Sequence, residues 1–141
     1  MKQTYTYEVN GFQIHAEYEE KDIETIFIPL LKKWKEMQKK AGRRILVFLS
    51  APPGTGKTTL VQFLEYLSEQ EADAGPIQAI GLDGFHYHQQ YILTHEACVE
   101  GRRVPMKEVK GCPETYDLEK LRAKIYELRK GGEIWWPIYS R

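Results

Sequence analysis

The segment Val47–Leu60 reads VFLSAPPGTGKTTL. Two glycines, Gly54 and Gly56, stand directly before a lysine and two threonines, Lys57, Thr58 and Thr59. These residue types at this spacing suit the binding of a polyphosphate. Glycines let the backbone bend and approach closely. Successive backbone N–H groups and the positive end of a following helix converge on the anion. Lys57 can reach the β- and γ-phosphates as a mobile point charge, and the Thr58 hydroxyl can bind Mg²⁺. Thr59 can contact an α-phosphate through its backbone. The pattern G-x-x-x-x-G-K-[ST] opens on glycine, and here that position is Ala51. Alanine is the next smallest residue and fits if the backbone keeps negative φ there. The nucleotide-binding set is therefore Ala51, Pro52, Pro53, Gly54, Thr55, Gly56, Lys57, Thr58 and Thr59, with ATP and Mg²⁺ as cofactors and Lys57 also in a catalytic role. The competing bland reading is a Gly-Pro-rich turn that binds nothing.

A second candidate lies in GLDGFHYH. Asp83 follows a short apolar run, and ligands gather at the carboxyl ends of strands in open α/β sheets. A carboxylate there can accept a proton from an attacking hydroxyl, or hold Mg²⁺ directly or through water. Phe85, His86 and Tyr87 offer an aromatic wall and hydrogen-bonding groups to a small substrate. Asp-Gly is also a common turn pair, so Asp83 has a purely structural reading as well.

The elements that must position these groups follow from periodicity. Tyr5, Tyr7 and Val9 alternate with polar residues, Asn10-Gly11 turns, and Phe12, Ile14, Ala16 and Tyr18 alternate again. That is a hairpin with Val9 opposite Phe12 and Tyr7 opposite Ile14. Residues 22–41 carry apolar side chains at three- and four-residue steps and read as helical, with Pro29 kinking the stretch or opening a second helix and Gly42 as C-terminal cap. Ile45–Leu49 reads as a strand buried on both faces. Residues 57–70 read as a helix, 77–82 as a strand and 88–99 as helical. Residues 101–116 read as loop, Leu118–Lys130 as a helix capped by Asp117, and Glu133–Tyr139 as extended. Strands alternating with helices imply an α/β fold with a parallel sheet. The expected division is an N-terminal hairpin plus helix, 1–42, followed by a phosphate-loop domain, 43–141.

Four segments in order, APPGTGKTTL, LDGFHYH, KGCPETYDLEKL and WPIYSR, resemble the bacterial P-loop kinases related to pantothenate kinase, uridine kinase and phosphoribulokinase. Within that group they are most similar to a nucleoside/nucleotide kinase-like branch, also described as fructose-transport-associated kinase-like. The resemblance covers most of the chain. The phosphate loop alone is specific only to the superfamily; D-G-F-H with K-G-x-P-E-T-[FY]-D is far more specific. It implies a three-layer P-loop NTPase fold with a mostly parallel sheet, present here as its N-terminal part, and hence a C-terminally truncated kinase. It implies phosphotransfer from ATP to a hydroxyl of a small metabolite. It makes Asp83 the catalytic base and a metal ligand beside Thr58, and places His86, Tyr87, Lys110 and Tyr139 at the acceptor. Asp117 ends the second motif, although its reading as a helix cap is preferred. Arg141 stands where pantothenate kinases carry a histidine, and no acid lies near Lys110-Gly111 as in uridine kinases. The acceptor is therefore left open between carboxylate- and phosphate-bearing metabolites, with Arg102 and Arg103 as further cations.

Bulk properties narrow the partners. Lys+Arg and Asp+Glu both number 20, which gives no support to a nucleic-acid or anionic-membrane partner. No apolar run approaches a membrane span, and Cys98 and Cys112 lack metal-ligand spacing. A cytoplasmic protein with two reduced thiols is expected. A half-sheet would leave an apolar edge, so a homodimer is a further expectation. Two other function classes stay open. PPGTGKT also suits AAA-type ATPases, which need a later apolar strand ending in Asp-Glu that residues 100–115 do not provide. The third reading is a non-catalytic nucleotide-binding module.

Overall fold

A computed structural model describes residues 1–9 and 11–138. The N-terminus forms the expected hairpin: strand β1 (Lys2–Val9) pairs antiparallel with β2 (Phe12–Glu19). The register matches Tyr5 to Ala16, Tyr7 to Ile14 and Val9 to Phe12. Asn10 lies outside the described residues. Gly11 takes φ 81°, the positive value such a turn demands. Alternation then puts Tyr5, Tyr7, Ala16 and Tyr18 on one face.

The helical stretch begins at α1 (Glu20–Asp22), widens into a π turn over Ile23–Phe27, and continues as α2 (Ile28–Ala41). The wide turn has a local cause. Pro29, in the first turn of α2, has no N–H to give the preceding turn, and the Ile28 N–H reaches back to the Ile23 carbonyl instead. Gly42 closes α2 in the left-handed region, φ 65°, with its N–H on the Gln38 carbonyl. Helix α3 (Lys57–Gln70) follows the glycine-rich loop as expected.

These elements share one core of Ile23, Leu31, Phe63, Leu64, Leu67 and Ala74. Phe63 is fully buried at its centre. Its ring lies 4.9 Å from that of Tyr5 and 4.4 Å from that of Tyr18. Beyond α3, the Ser68 hydroxyl accepts the Ile77 N–H and so ties the outgoing chain back to the helix.

The compact units of the chain are Met1–Ala79 and the residues from Ile80 onward. The hairpin and α2 thus group with the glycine-rich loop and α3, whereas the sequence suggested a division after residue 42. The reason is packing: the apolar face of the hairpin is covered by α3, which comes after the loop.

In the second unit, α4 (Gln89–Thr94) is shorter than the helix expected over 88–99. It ends at His95 and gives way to strand β3 (Glu96–Val99), which pairs antiparallel with β4 (Arg102–Pro105). The loop expected at 101–116 is thus a hairpin arm followed by two 3₁₀ turns, Met106–Glu108 and Pro113–Thr115. The turn residues Glu100 and Gly101 take φ 50° and 77°. Two positive φ values match the turn to the twist of the strands, a cost glycine accepts and glutamate tolerates poorly. Ile92, Ala97 and Met106 form a small core beneath. Helix α5 (Leu118–Lys130) has the expected bounds, with the Asp117 carboxylate accepting the Lys120 N–H at 3.1 Å.

Among the described residues both sheets are two-stranded and antiparallel. Residues 45–49 and 77–82 carry no ladder, contrary to the strands expected there, and residues 133–138, expected to be extended, carry none either. Val47 and Phe48, expected to be buried on both faces, are 50% and 68% exposed. An apolar run records the burial a segment is suited to. A strand also needs a neighbour to pair with.

Candidate functional site

The loop from Ala51 to Gly56 is shaped by its two glycines. Gly54 and Gly56 take φ 75° and 85°, and a Cβ built on either would meet nothing within 4 Å. The requirement is thus conformational, and the space above the loop is open. Gly56 caps α3, whose first bond runs from the Leu60 N–H to the Gly56 carbonyl at 2.9 Å. The Thr55 hydroxyl donates to the Pro52 carbonyl at 2.7 Å and fixes the bend. The half-buried Lys57 folds back over the loop, its Nζ donating to the Ala51 carbonyl at 3.2 Å. Ala51 thus contributes its backbone oxygen, which any residue supplies. Thr58 is exposed at the start of the helix.

The loop opens onto a cleft of about 470 Å³, within the usual range for small-molecule sites. One side is Leu49, Ala51, Thr55, Gly56, Lys57, Thr59 and Leu60; the other is β2, from His15 to Tyr18. No local pattern in the chain foretold that the hairpin would flank the loop. What carries it is a tyrosine pattern: the Tyr7 hydroxyl donates to the Thr59 carbonyl at 3.2 Å, and the Tyr7 ring stacks on Tyr66 at 5.4 Å.

In the second unit Asp83 opens a 3₁₀ turn, Asp83–Phe85, with its carboxylate exposed to solvent. His86 is nearly buried. Its Nδ1 lies 2.9 Å from the Asp83 carbonyl and 4.0 Å from Asp83 Oδ1. Its ring lies 3.9 Å from that of Tyr116, and the two residues form an antiparallel bridge. The Asp117 N–H donates to the Phe85 carbonyl at 2.7 Å, and the Tyr87 N–H to the Thr115 carbonyl at 3.0 Å. The DGFHY and ETYD segments, distant in sequence, are therefore laced together backbone to backbone. Burial, and then the nearby Asp83 charge, push the Tyr116 hydroxyl above its ordinary value near 10. Burial also raises Tyr87, with Asp117 adding to it.

Lys110 Nζ donates to Gln89 Oε1 at 3.5 Å. Gly84 packs where the chain passes closest. A Cβ there would collide with the Pro137 carbonyl oxygen and lie 2.5 Å from its carbon. Trp136 donates Nε1–H to the Gly81 carbonyl at 2.7 Å and meets Phe85 edge-on at 4.9 Å. The structure thus gathers Asp83, His86, Tyr87 and Tyr116 in one neighbourhood. Tyr139 lies outside the described residues. The glycine-rich loop belongs to the first unit and the Asp83 cluster to the second. Sequence reasoning passed over Tyr116 and Trp136, although both stand inside the segments that carry the resemblance.

The chain is 38% identical over 134 residues to an uncharacterized protein, YggC, of Escherichia coli, covering 94% of this chain and 52% of that protein. It is 25% identical over 135 residues to a pantothenate kinase of Lactococcus lactis, covering 84% of this chain and 41% of that one. It is 27% identical over 137 residues to a pantothenate kinase of Enterococcus faecalis, at 85% and 42% coverage. The chain spans about half the length of the curated relatives it matches. No family model matches it, and no solved structure matches it. Among the described residues no helix is long and apolar enough to cross a membrane.

Proposed function

We propose that this chain carries the nucleotide-binding part of a P-loop kinase that transfers the γ-phosphate of ATP to a hydroxyl of a small metabolite. The observation that carries the reading is the loop itself: two positive-φ glycines, an open space above them, and Lys57 folded across the loop at the head of α3. The similarity to pantothenate kinases supports the kinase class over the other two readings. It does not name the acceptor.

The residues present fit ATP. The backbone N–H groups around Gly54–Thr58 would meet the β- and γ-phosphates. The Lys57 ammonium would exchange the Ala51 carbonyl for phosphate oxygens, a stronger, charge-assisted pairing. Among the described residues no cluster of three His, Cys, Asp or Glu side chains is built to hold a metal ion. The Thr58 hydroxyl at the head of α3 would hold Mg²⁺ beside the bound nucleotide, and Asp83 is the other residue the resemblance offers as a ligand. When bound, Mg²⁺ would neutralise charge on the β- and γ-phosphates. In the transfer, the acceptor oxygen forms a bond to γ-phosphorus and the β–γ bridging P–O bond breaks. By the resemblance, the Asp83 carboxylate would take the proton of the acceptor hydroxyl.

Calorimetric titration tests the first step. Lys57→Ala should abolish measurable MgATP binding, and an affinity equal to wild type would refute the loop assignment. Asp83→Asn should keep MgATP binding and lose at least about a hundredfold in acceptor-dependent ADP release, the scale of general-base catalysis. Full turnover by that variant would remove Asp83 from the reaction.

A further inference from the structure

Strand β2 of the hairpin lines the phosphate-loop cleft with four consecutive residues, His15 to Tyr18. Consecutive residues come from both faces of a strand, so β2 meets the cleft along its edge. β1 occupies the opposite edge. The strand is fixed in place rather than lying loosely across the opening. Tyr7 holds the Thr59 carbonyl, and Tyr5, Tyr7 and Tyr18 pack their rings on Phe63 and Tyr66 of α3. The His15 ring is itself held, with Nδ1 3.0 Å from Thr6 Oγ1.

The ionisable groups lining the cleft are Lys57 on the loop side and His15, Glu17 and Tyr18 on the strand side. Glu17 is exposed and, among the described residues, enters no ion pair with Lys57, whose Nζ is on the Ala51 carbonyl. A triphosphate seated on the loop would place its negative charge at Lys57. A carboxylate gains nothing beside phosphates; their like charges repel. The parts of a nucleotide that a carboxylate can favour are its donors, namely the ribose hydroxyls and an exocyclic amino group on the base. Leu49 and Leu60 add apolar surface to the same cleft.

We propose that the N-terminal hairpin is a wall of the nucleotide site, with Glu17 accepting a hydrogen bond from the nucleoside part of a bound nucleoside triphosphate and His15 flanking it. The proposal rests on the phosphate-loop reading and extends it to a recognition element that the loop motif does not contain. The hairpin then reads the nucleoside while the loop reads the phosphates.

The experiment titrates the whole chain with MgATP and, separately, with magnesium tripolyphosphate, which has the phosphates and no nucleoside. Glu17→Ala should weaken MgATP about tenfold, the loss of one hydrogen bond to a charged group, and leave tripolyphosphate unchanged or slightly tighter. Glu17→Gln, which keeps an acceptor oxygen, should recover part of the loss. Lys57→Ala should weaken both ligands. Wild-type MgATP affinity in Glu17→Ala, with Lys57→Ala still weakened, overturns the hairpin's role and leaves the loop reading standing. Equal weakening of both ligands by Glu17→Ala also overturns it, because the nucleoside is then not what Glu17 senses. Failure of the unaltered chain to bind either ligand overturns the loop reading and this proposal together.

Discussion

Gly84 offers a sharp test of how the Asp83 segment is held. Its φ is not in the positive region, so no backbone strain attends a side chain there. The obstacle is steric. A Cβ would collide with the Pro137 carbonyl oxygen, lie 2.5 Å from the carbonyl carbon and 3.0 Å from the Ile138 nitrogen. All three are backbone atoms, which cannot swing aside as a side-chain tip can. Inserting a methyl group into such a contact costs about 1–3 kcal/mol, and the upper end applies because the neighbour is backbone. Gly81 is the matched control. It lies on the same segment, its φ is also ordinary, and a Cβ there meets nothing within 4 Å. Gly81→Ala should be neutral or stabilise by about 0.4–1 kcal/mol, because alanine restricts the unfolded chain. The assay is urea unfolding followed by tryptophan fluorescence. Trp136 reports directly, since its Nε1–H is on the Gly81 carbonyl and its ring touches Phe85. Gly84→Ala should lower the midpoint and shift the folded-state emission, while Gly81→Ala should do neither. Equal stability of the two variants, within about 0.5 kcal/mol, would refute the close approach.

Two further predictions concern the first unit. Phe63→Ala removes the ring against which Tyr5 and Tyr18 pack and should cost about 3–5 kcal/mol in urea unfolding; a loss below about 1 kcal/mol would mean the hairpin does not dock on α3. Burial raises the hydroxyls of Tyr5, Tyr7 and Tyr18 above their ordinary value of 10.0, with Glu20 adding to Tyr5 and Tyr18 to Tyr7. The folded state therefore keeps those protons more tightly than the unfolded one. Stability should be fully present below pH 10 and decline as pH rises beyond it toward the folded-state values. Unfolding midpoints compared at about pH 9 and about pH 11, with tyrosinate absorbance as the monitor, check the sign; a midpoint that rises over that interval contradicts it.

How much was legible in the sequence depends on whether the signal was local. Helix α3 was readable because Gly54-Thr55-Gly56 stops the preceding chain and Lys57 begins an apolar stripe. Helix α5 was readable because Asp117 and Gly131 mark both ends. The first hairpin was readable because its register is fixed by the turn and by long alternating arms. The second hairpin was not. Each of its arms is four residues, and Glu96, Arg102 and Arg103 dilute the alternation. Its one clue was Glu100-Gly101, and glutamate is an uncommon turn residue. The apolar runs at 45–49 and 77–82 misled for the opposite reason. They reported what these segments would bury, and pairing depends on partners that no local window contains. At the candidate site, the bend before α3 was legible because Gly54, Gly56 and the helix start at Lys57 lie within one short segment. The approach of β2 was not, because Tyr7 and Thr59 meet across the whole of α1 and α2.

That meeting bears on how the loop keeps its shape. A glycine-rich loop is entropically costly to order, since glycine has the most conformational freedom to lose. Here the loop is held at both ends. Lys57 and Thr55 tie it internally through the Ala51 and Pro52 carbonyls. The first turn of α3 is pinned from outside by Tyr7 on Thr59, and Phe63 and Tyr66 fix the next turns against the same hairpin. The hairpin cannot stand alone, because an isolated two-stranded ribbon is marginal in water. The loop in turn depends on the helix that the hairpin covers. Each therefore stabilises the other through α3, and the aromatic residues of β1 and β2 do two jobs with one set of contacts. They bury the apolar face of the ribbon, and they present its edge to the open side of the loop, where the phosphates would enter.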